Sequence, residues 1–161
     1  MSNVRRHYSS LMAIWQFDLE FVPRGDPMPE RGPDGHDARS FRAQKAAAAK
    51  AWLSERFGAP HEMLEDWFVY GPDDGSRVDL LLNPDGSGEI SARIDARHEA
   101  TEFATALCEL CALLDGEPFS VESWRMLEVK PSAIGLALER SRAAAFLRDP
   151  EKVLRDAGSG A

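Results

Sequence analysis

Long apolar runs are missing from this 161-residue chain. None approaches the ~18–20 consecutive apolar residues that cross a bilayer, so no membrane role is expected. Cysteine is scarce as well. The two present, Cys108 and Cys111, give no disulfide scaffold and fit a reducing compartment. Basic charge is in deficit: 19 Lys and Arg stand against 27 Asp and Glu, a net charge of −8. Such a surface repels phosphate backbones, which counts against nucleic acid as a partner and favours a basic protein. Solubility alone also explains an acidic chain. A signal-peptide core is missing too, because the apolar residues of Leu11–Val22 are interrupted by Gln16, Asp18 and Glu20. A cytoplasmic location is therefore expected.

Motifs that dictate a reaction are equally scarce. There is no Gly-x-Ser-x-Gly elbow for a nucleophile and no glycine-rich phosphate loop. The two Asp-Gly turns lack the glutamate that closes a calcium loop. Cys108 and Cys111 have the two-residue spacing of redox and zinc sites. They fall in the middle of a predicted helix beside Leu107 and Leu110, however, which suits buried, reduced side chains. His36 with Asp34 and Asp37, or His61 with Glu62, matches no ligand spacing on a regular element. No catalytic residue, metal or cofactor is expected from these patterns.

What is present is a good core former. Apolar residues make up 43% of the chain, enough for one domain of this length. The clearest signal is Glu89–His98. Ile90, Ala92, Ile94 and Ala96 alternate with Ser91, Arg93, Asp95 and Arg97, the period of a strand with one buried face. A helical stripe of Phe103, Ala106, Leu107, Leu110, Leu113 and Leu114 follows within Glu99–Leu114. Leu11–Val22 alternates in the same way, with Asp18 and Glu20 on its polar face. Pro23–Ser40, crowded with proline and glycine, reads as a long loop, and Ser40 or Asp37 is placed to cap a helix over Phe41–Phe57. The HEMLED stretch, His61 to Asp66, reads as a helical turn or irregular piece before strands at Trp67–Tyr70 and Arg77–Asn83. Pro118–Lys130 is ambiguous and has room for short strands at Phe119–Val121 and Met126–Val129; a helix is expected over Pro131–Phe146 and a last helix over Glu151–Asp156.

The expected fold class is α+β: two layers, with an about four-stranded, mainly antiparallel sheet and three helices packed on one face. The strands are Leu11–Val22, Trp67–Tyr70, Arg77–Asn83 and Glu89–Arg97, and the helices Phe41–Phe57, Glu99–Leu114 and Pro131–Phe146. Turn-linked strands reveal neighbours, whereas Leu11–Val22 is free to dock at either edge or in the middle. Residues 1–10 are expected to be a flexible lead, 11–157 one domain, and 158–161 a flexible tail. If Leu11–Val22 lies beside Glu89–Arg97, opposite charges on the two polar faces pair, each pair contributing ~0.2–1 kcal/mol. That face is the candidate partner surface: Asp18, Glu20, Arg93, Asp95 and Arg97, enlarged by Trp67 and Tyr70, since arginine and aromatics anchor interfaces. A solvated sheet face held by ion pairs is the plainer reading.

The order of elements resembles a known group. An opening strand over Ile14–Pro23 precedes a proline- and glycine-rich loop and a helix. A strand ending at Tyr70-Gly71, the Ala92–Arg97 strand with its helix, and a close with Ser141, Phe146 and Asp149-Pro150 follow. In this the chain resembles small bacterial proteins of uncharacterised families considered alongside the immunity proteins of polymorphic or contact-delivered toxin systems. The resemblance implies a cytoplasmic, non-enzymatic protein that binds and blocks a cognate toxin, here a basic toxin domain. Two alternatives stand beside it. One is a small hydrolase or transferase with a site under the loop of residues 23–40. The other is a structural or regulatory protein that self-associates, for example as a homodimer, through an open sheet edge.

Overall fold

The computed structural model describes residues 13–159. Leu11, Met12 and the expected flexible lead and last two tail residues lie outside the described residues. Nine strands and five helices are described. Seven strands form one sheet: β4 (His61–Leu64), β5 (Trp67–Tyr70), β6 (Arg77–Leu82), β7 (Gly88–Asp95), β1 (Gln16–Pro23), β8 (Gly116–Ser120) and β9 (Arg125–Met126), in that spatial order. Every pairing is antiparallel. The opening strand therefore sits in the middle of the sheet, between β7 and β8. The remaining two strands, β2 (Arg31–Gly32) and β3 (Gly35–His36), make a small hairpin inside the long loop.

The core lies on one face of the sheet, where the alternating patterns place it. Phe17, Leu19 and Phe21 of β1 meet Ile90, Ala92 and Ile94 of β7, Val78 and Leu80 of β6, and Tyr70 of β5. The helices α1 (Ala43–Phe57) and α2 (Thr101–Leu114) cover them with Ala49, Leu53, Leu107, Leu110, Cys111 and Leu114, and α3 (Pro131–Glu139) adds Ile134. Burying a side chain of this size contributes roughly 1.5–3 kcal/mol, which makes this face the main source of stability. α4 (Arg142–Arg148) and α5 (Pro150–Ser159) finish the chain.

The α+β class and antiparallel sheet match the expectation, but the sheet has seven strands rather than about four, and the helices number five rather than three. Four local differences account for this. His61–Leu64, expected as a helical turn, is a strand whose four residues are all exposed. With no buried side to alternate against, it carries no periodic signal, and pairing with β5 forms it. Second, β8 and β9 extend the sheet beyond β1, where the sequence was ambiguous. Third, the helix expected over Pro131–Phe146 breaks at Arg140–Ser141, because Ser141 caps a new helix. Its hydroxyl accepts from the Ala144 N–H at 3.2 Å and donates to the Leu138 carbonyl at 2.5 Å. Fourth, α5 runs over Pro150–Ser159, longer than the expected Glu151–Asp156.

Neither Ser40 nor Asp37 caps α1. The helix start is fixed by a bridge in which the Phe41 N–H donates to the Gly88 carbonyl at 2.8 Å and the Gly88 N–H returns to Phe41 at 3.0 Å. A Cβ at 88 would be crowded, 3.2 Å from the Ala46 Cβ and 3.1 Å from Leu80 Cδ1, so glycine suits the close approach there. This close approach seats α1 on the sheet.

Candidate functional site

The second face of the sheet carries the polar halves of the same strands, and its register explains its charge pattern. One row across the strands reads Asp18, Arg93, Arg77. The next reads Phe119, Glu20, Ser91, Asp79, Val69. Arg77 and Arg93 oppose each other directly, a repulsive arrangement by itself. Each is neutralised from the side. Arg93 Nε lies 3.4 Å from Asp18 Oδ1, and Arg77 Nε lies 3.1 Å from Asp79 Oδ1. Asp79 Oδ2 also accepts from the indole N–H of Trp67 at 3.1 Å and from Arg77 at 3.3 Å. The expected cross-strand pairing between the first strand and the Arg93 strand is thus present.

The rows bring Asp18, Glu20 and Asp79 close together. Burial is the main influence on the Asp18 carboxyl and pushes it up to about 6. Arg93 pulls it down, while Asp79 and Glu20 add to the rise. Above this cluster lies the β2–β3 hairpin. Its His36 Nε2 sits 2.5 Å from Glu20 Oε1, and its Arg31 guanidinium lies 4.4 Å over the ring of Trp124. Trp124 holds the hairpin from the turn between β8 and β9. Its ring stands edge-on to His36 at 5.2 Å and to Phe119 at 4.9 Å. The backbone of Trp124 has φ of 56°, a left-handed conformation unfavourable for a bulky residue and held in place by these contacts.

Of the residues chosen from sequence, Asp18, Glu20 and Arg93 come together beneath this hairpin. Asp95 and Arg97 form a separate unit at the end of β7. Arg97 grips both carboxylate oxygens of Asp95, at 3.0 and 2.8 Å, stacks 4.4 Å over Trp15, and donates to the Asp74 carbonyl at 2.8 Å. The Arg97 hydrogen bonds hold the Asp95 carboxyl below its ordinary range against the effect of burial. Asp95 is 1% exposed, so this is a fold-fixing contact and offers little to a partner. Trp67 is 6% exposed and tied beneath Asp79. Tyr70 is 1% exposed and lies on the opposite side of the sheet, in the core, where burial raises its hydroxyl pKa. The expected enlargement of the polar face by Trp67 and Tyr70 is therefore not there. Residues three apart in a strand point to opposite sides, which removes Tyr70 from Trp67's face.

The cysteines lie in α2 as free thiols, Cys111 buried and Cys108 half-buried. Burial pushes the Cys111 thiol up to about 12, which leaves it without nucleophilic thiolate at neutral pH. Among the described residues, no group of three or more His, Cys, Asp or Glu side chains is set to hold a metal ion, and no helix is long and apolar enough to cross a membrane.

Sequence reasoning allowed for an open sheet edge but did not place it at His61–Leu64. β4 is the outermost strand beyond β5, and no described strand pairs with its outer side. Met63 and Leu64 are exposed on it, between the exposed carboxylates of Glu62, Glu65 and Asp66. An unpaired sheet edge of this kind is a template for adding a strand from another chain. Its signal in the sequence was the apolar pair Met63-Leu64 enclosed by acids. Searched against protein-family models, curated proteins and solved structures, the chain matches none of them.

Proposed function

We propose that this chain is a non-enzymatic protein-binding module of the immunity type, which captures and blocks a basic toxin domain in the bacterial cytoplasm. The observation that carries this reading is the β4 edge. A strand edge that no described strand pairs with, two exposed apolar side chains and three carboxylates coincide there on a chain of net charge −8. Strand addition supplies main-chain hydrogen bonds, Met63 and Leu64 supply an apolar contact, and the carboxylates steer a basic partner and speed its capture. The ion-paired polar face then serves as the rigid support of the sheet. The test is growth protection. The product of the adjacent gene is expressed alone and together with this chain. Toxicity relieved by co-expression, with the two proteins co-purifying, supports the reading. A neighbour that is harmless alone, or that kills equally in both cases, rules it out.

A second reading is favoured by the group under the hairpin. Glu20 and His36 at 2.5 Å, beside a carboxyl titrating at about 6, are the components of general acid–base chemistry beneath the loop of residues 23–40. Loss of a hydrolase or transferase activity in His36→Ala with an intact fold would support it. Self-association through the same β4 edge is separated by light scattering, in which a purely monomeric chain counts against it.

A further inference from the structure

A groove of 620 Å³ opens between the β8–β9 end of the sheet and α3, apart from both the polar face and the β4 edge. That volume lies within the range of small-molecule sites, ~300–1,000 Å³. Its apolar surface includes Phe17, Met126 and Leu136. Its charges run against the rest of the molecule. Three cations, Arg125, Lys130 and Arg140, line it with two carboxylates, on a chain of net charge −8. Both carboxylates are already engaged. Glu128 pairs with Lys130 at 3.1 Å, and Glu122 accepts from the Arg142 backbone N–H at 3.0 Å. Arg125 and Arg140 have no side-chain partner among the described residues. Ser132, in the first turn of α3, also lines the groove.

We propose that this groove binds a small amphipathic anion, an apolar body carrying a carboxylate or phosphate. The apolar body packs on Phe17, Met126 and Leu136, and the oxyanion takes the guanidinium groups of Arg125 and Arg140. Guanidinium binds either oxyanion through paired, charge-assisted hydrogen bonds. The apolar lining selects against inorganic phosphate, and the uncommitted arginines select against neutral or cationic bodies of the same shape. This inference is independent of the toxin-binding reading and holds or fails without it.

The experiment titrates the full chain with octanoate and with phenyl phosphate, by calorimetry and by following the methyl signal of Met126. Octylamine, benzyl alcohol and inorganic phosphate serve as matched probes. Saturable binding of either amphipathic anion, with a shift at Met126 and binding at least tenfold weaker for the matched probes, supports the proposal. Arg125→Ala and Arg140→Ala are each expected to weaken it about tenfold, the loss of one charge-assisted contact. Both side chains are exposed, so these variants keep the fold, and an unchanged circular dichroism spectrum verifies it. Equal binding of anions and matched probes overturns the proposal. So does affinity unchanged in Arg125→Ala/Arg140→Ala.

Discussion

Asp18 gives the sharpest quantitative prediction. Its carboxyl rises from 3.8 to about 6 on folding, chiefly because burial penalises the charged form more than Arg93 favours it. Between those two values the folded chain still holds a proton that the unfolded chain has released. Unfolding therefore releases a proton there, and stability contributed through this group falls as pH rises, levelling off above 6. The shift corresponds to about 3 kcal/mol at about 1.4 kcal/mol per pH unit. Asp18→Asn cannot ionise and escapes this loss. The attraction of Arg93 for the ionised carboxylate is already contained in the value of about 6, so it adds no separate pH dependence to the difference. The assay is urea denaturation of both proteins at a series of pH values from 3.5 to 7.5, read as a difference so that carboxyls not coupled to Asp18 cancel. The stability of Asp18→Asn relative to the parent is expected to rise by about 3 kcal/mol across the window, with its midpoint near 5. A difference flat to within about 0.5 kcal/mol, near the precision of such extrapolations, would refute the desolvated carboxyl.

Asp79→Ala removes the nearest partner of Arg77, 5% exposed, and an acceptor of the Trp67 indole, and leaves Arg77 facing Arg93 with only the exposed Asp73, 3.7 Å away, to offset it. It is expected to cost about 2 kcal/mol in urea denaturation, less than the ~3–5 kcal/mol of a buried charge left wholly unpaired, and Asp79→Asn less. A loss under about 1 kcal/mol would contradict the pairing. Trp124→Ala removes the ring that holds Arg31 and His36, so limited trypsin cleavage after Arg31 should accelerate while the core stays folded. An unchanged cleavage rate would show that the hairpin is held by other contacts. Cys111, its thiol pushed up to about 12 by burial, should stay unreactive toward a disulfide reagent at pH 8 until the chain unfolds. Reaction at the rate of a free thiol would place it at the surface.

The parts of the fold legible in the sequence are those with a buried side. β1 and β7 each alternate because one face is core, and α2 shows its stripe because Leu107, Leu110 and Leu114 are inside. β4 has no buried side, so its strand character depends on β5, a contact the local sequence does not encode. The position of β1 was open for a related reason: its alternation fixes which face is buried but not which strands lie alongside. Once β1 is seen between β7 and β8, Asp18 meets Arg93 and Glu20 meets His36. The polar cluster was thus half legible. Asp18, Glu20 and Arg93 could be picked from alternation, whereas His36 and Trp124 join it only because a loop folds back across the sheet. Asp95 shows the opposite failure. Its alternation matched a surface strand position, yet the Arg97 clamp two residues on turned it into a buried structural contact.

The proposed capture of a basic protein partner at the β4 edge is read out most directly by calorimetric titration of the chain with the purified, inactivated product of the adjacent gene. The parent is compared with the double variant Met63→Lys/Glu65→Lys. Both positions are exposed, Met63 at 37%, and the variant is checked for an unfolding free energy within about 0.5 kcal/mol of the parent's. Tight binding by the parent that weakens with added salt is expected, with at least a hundredfold loss in the variant, about 3 kcal/mol. Equal affinity of the two proteins, or no binding by the parent, would contradict it.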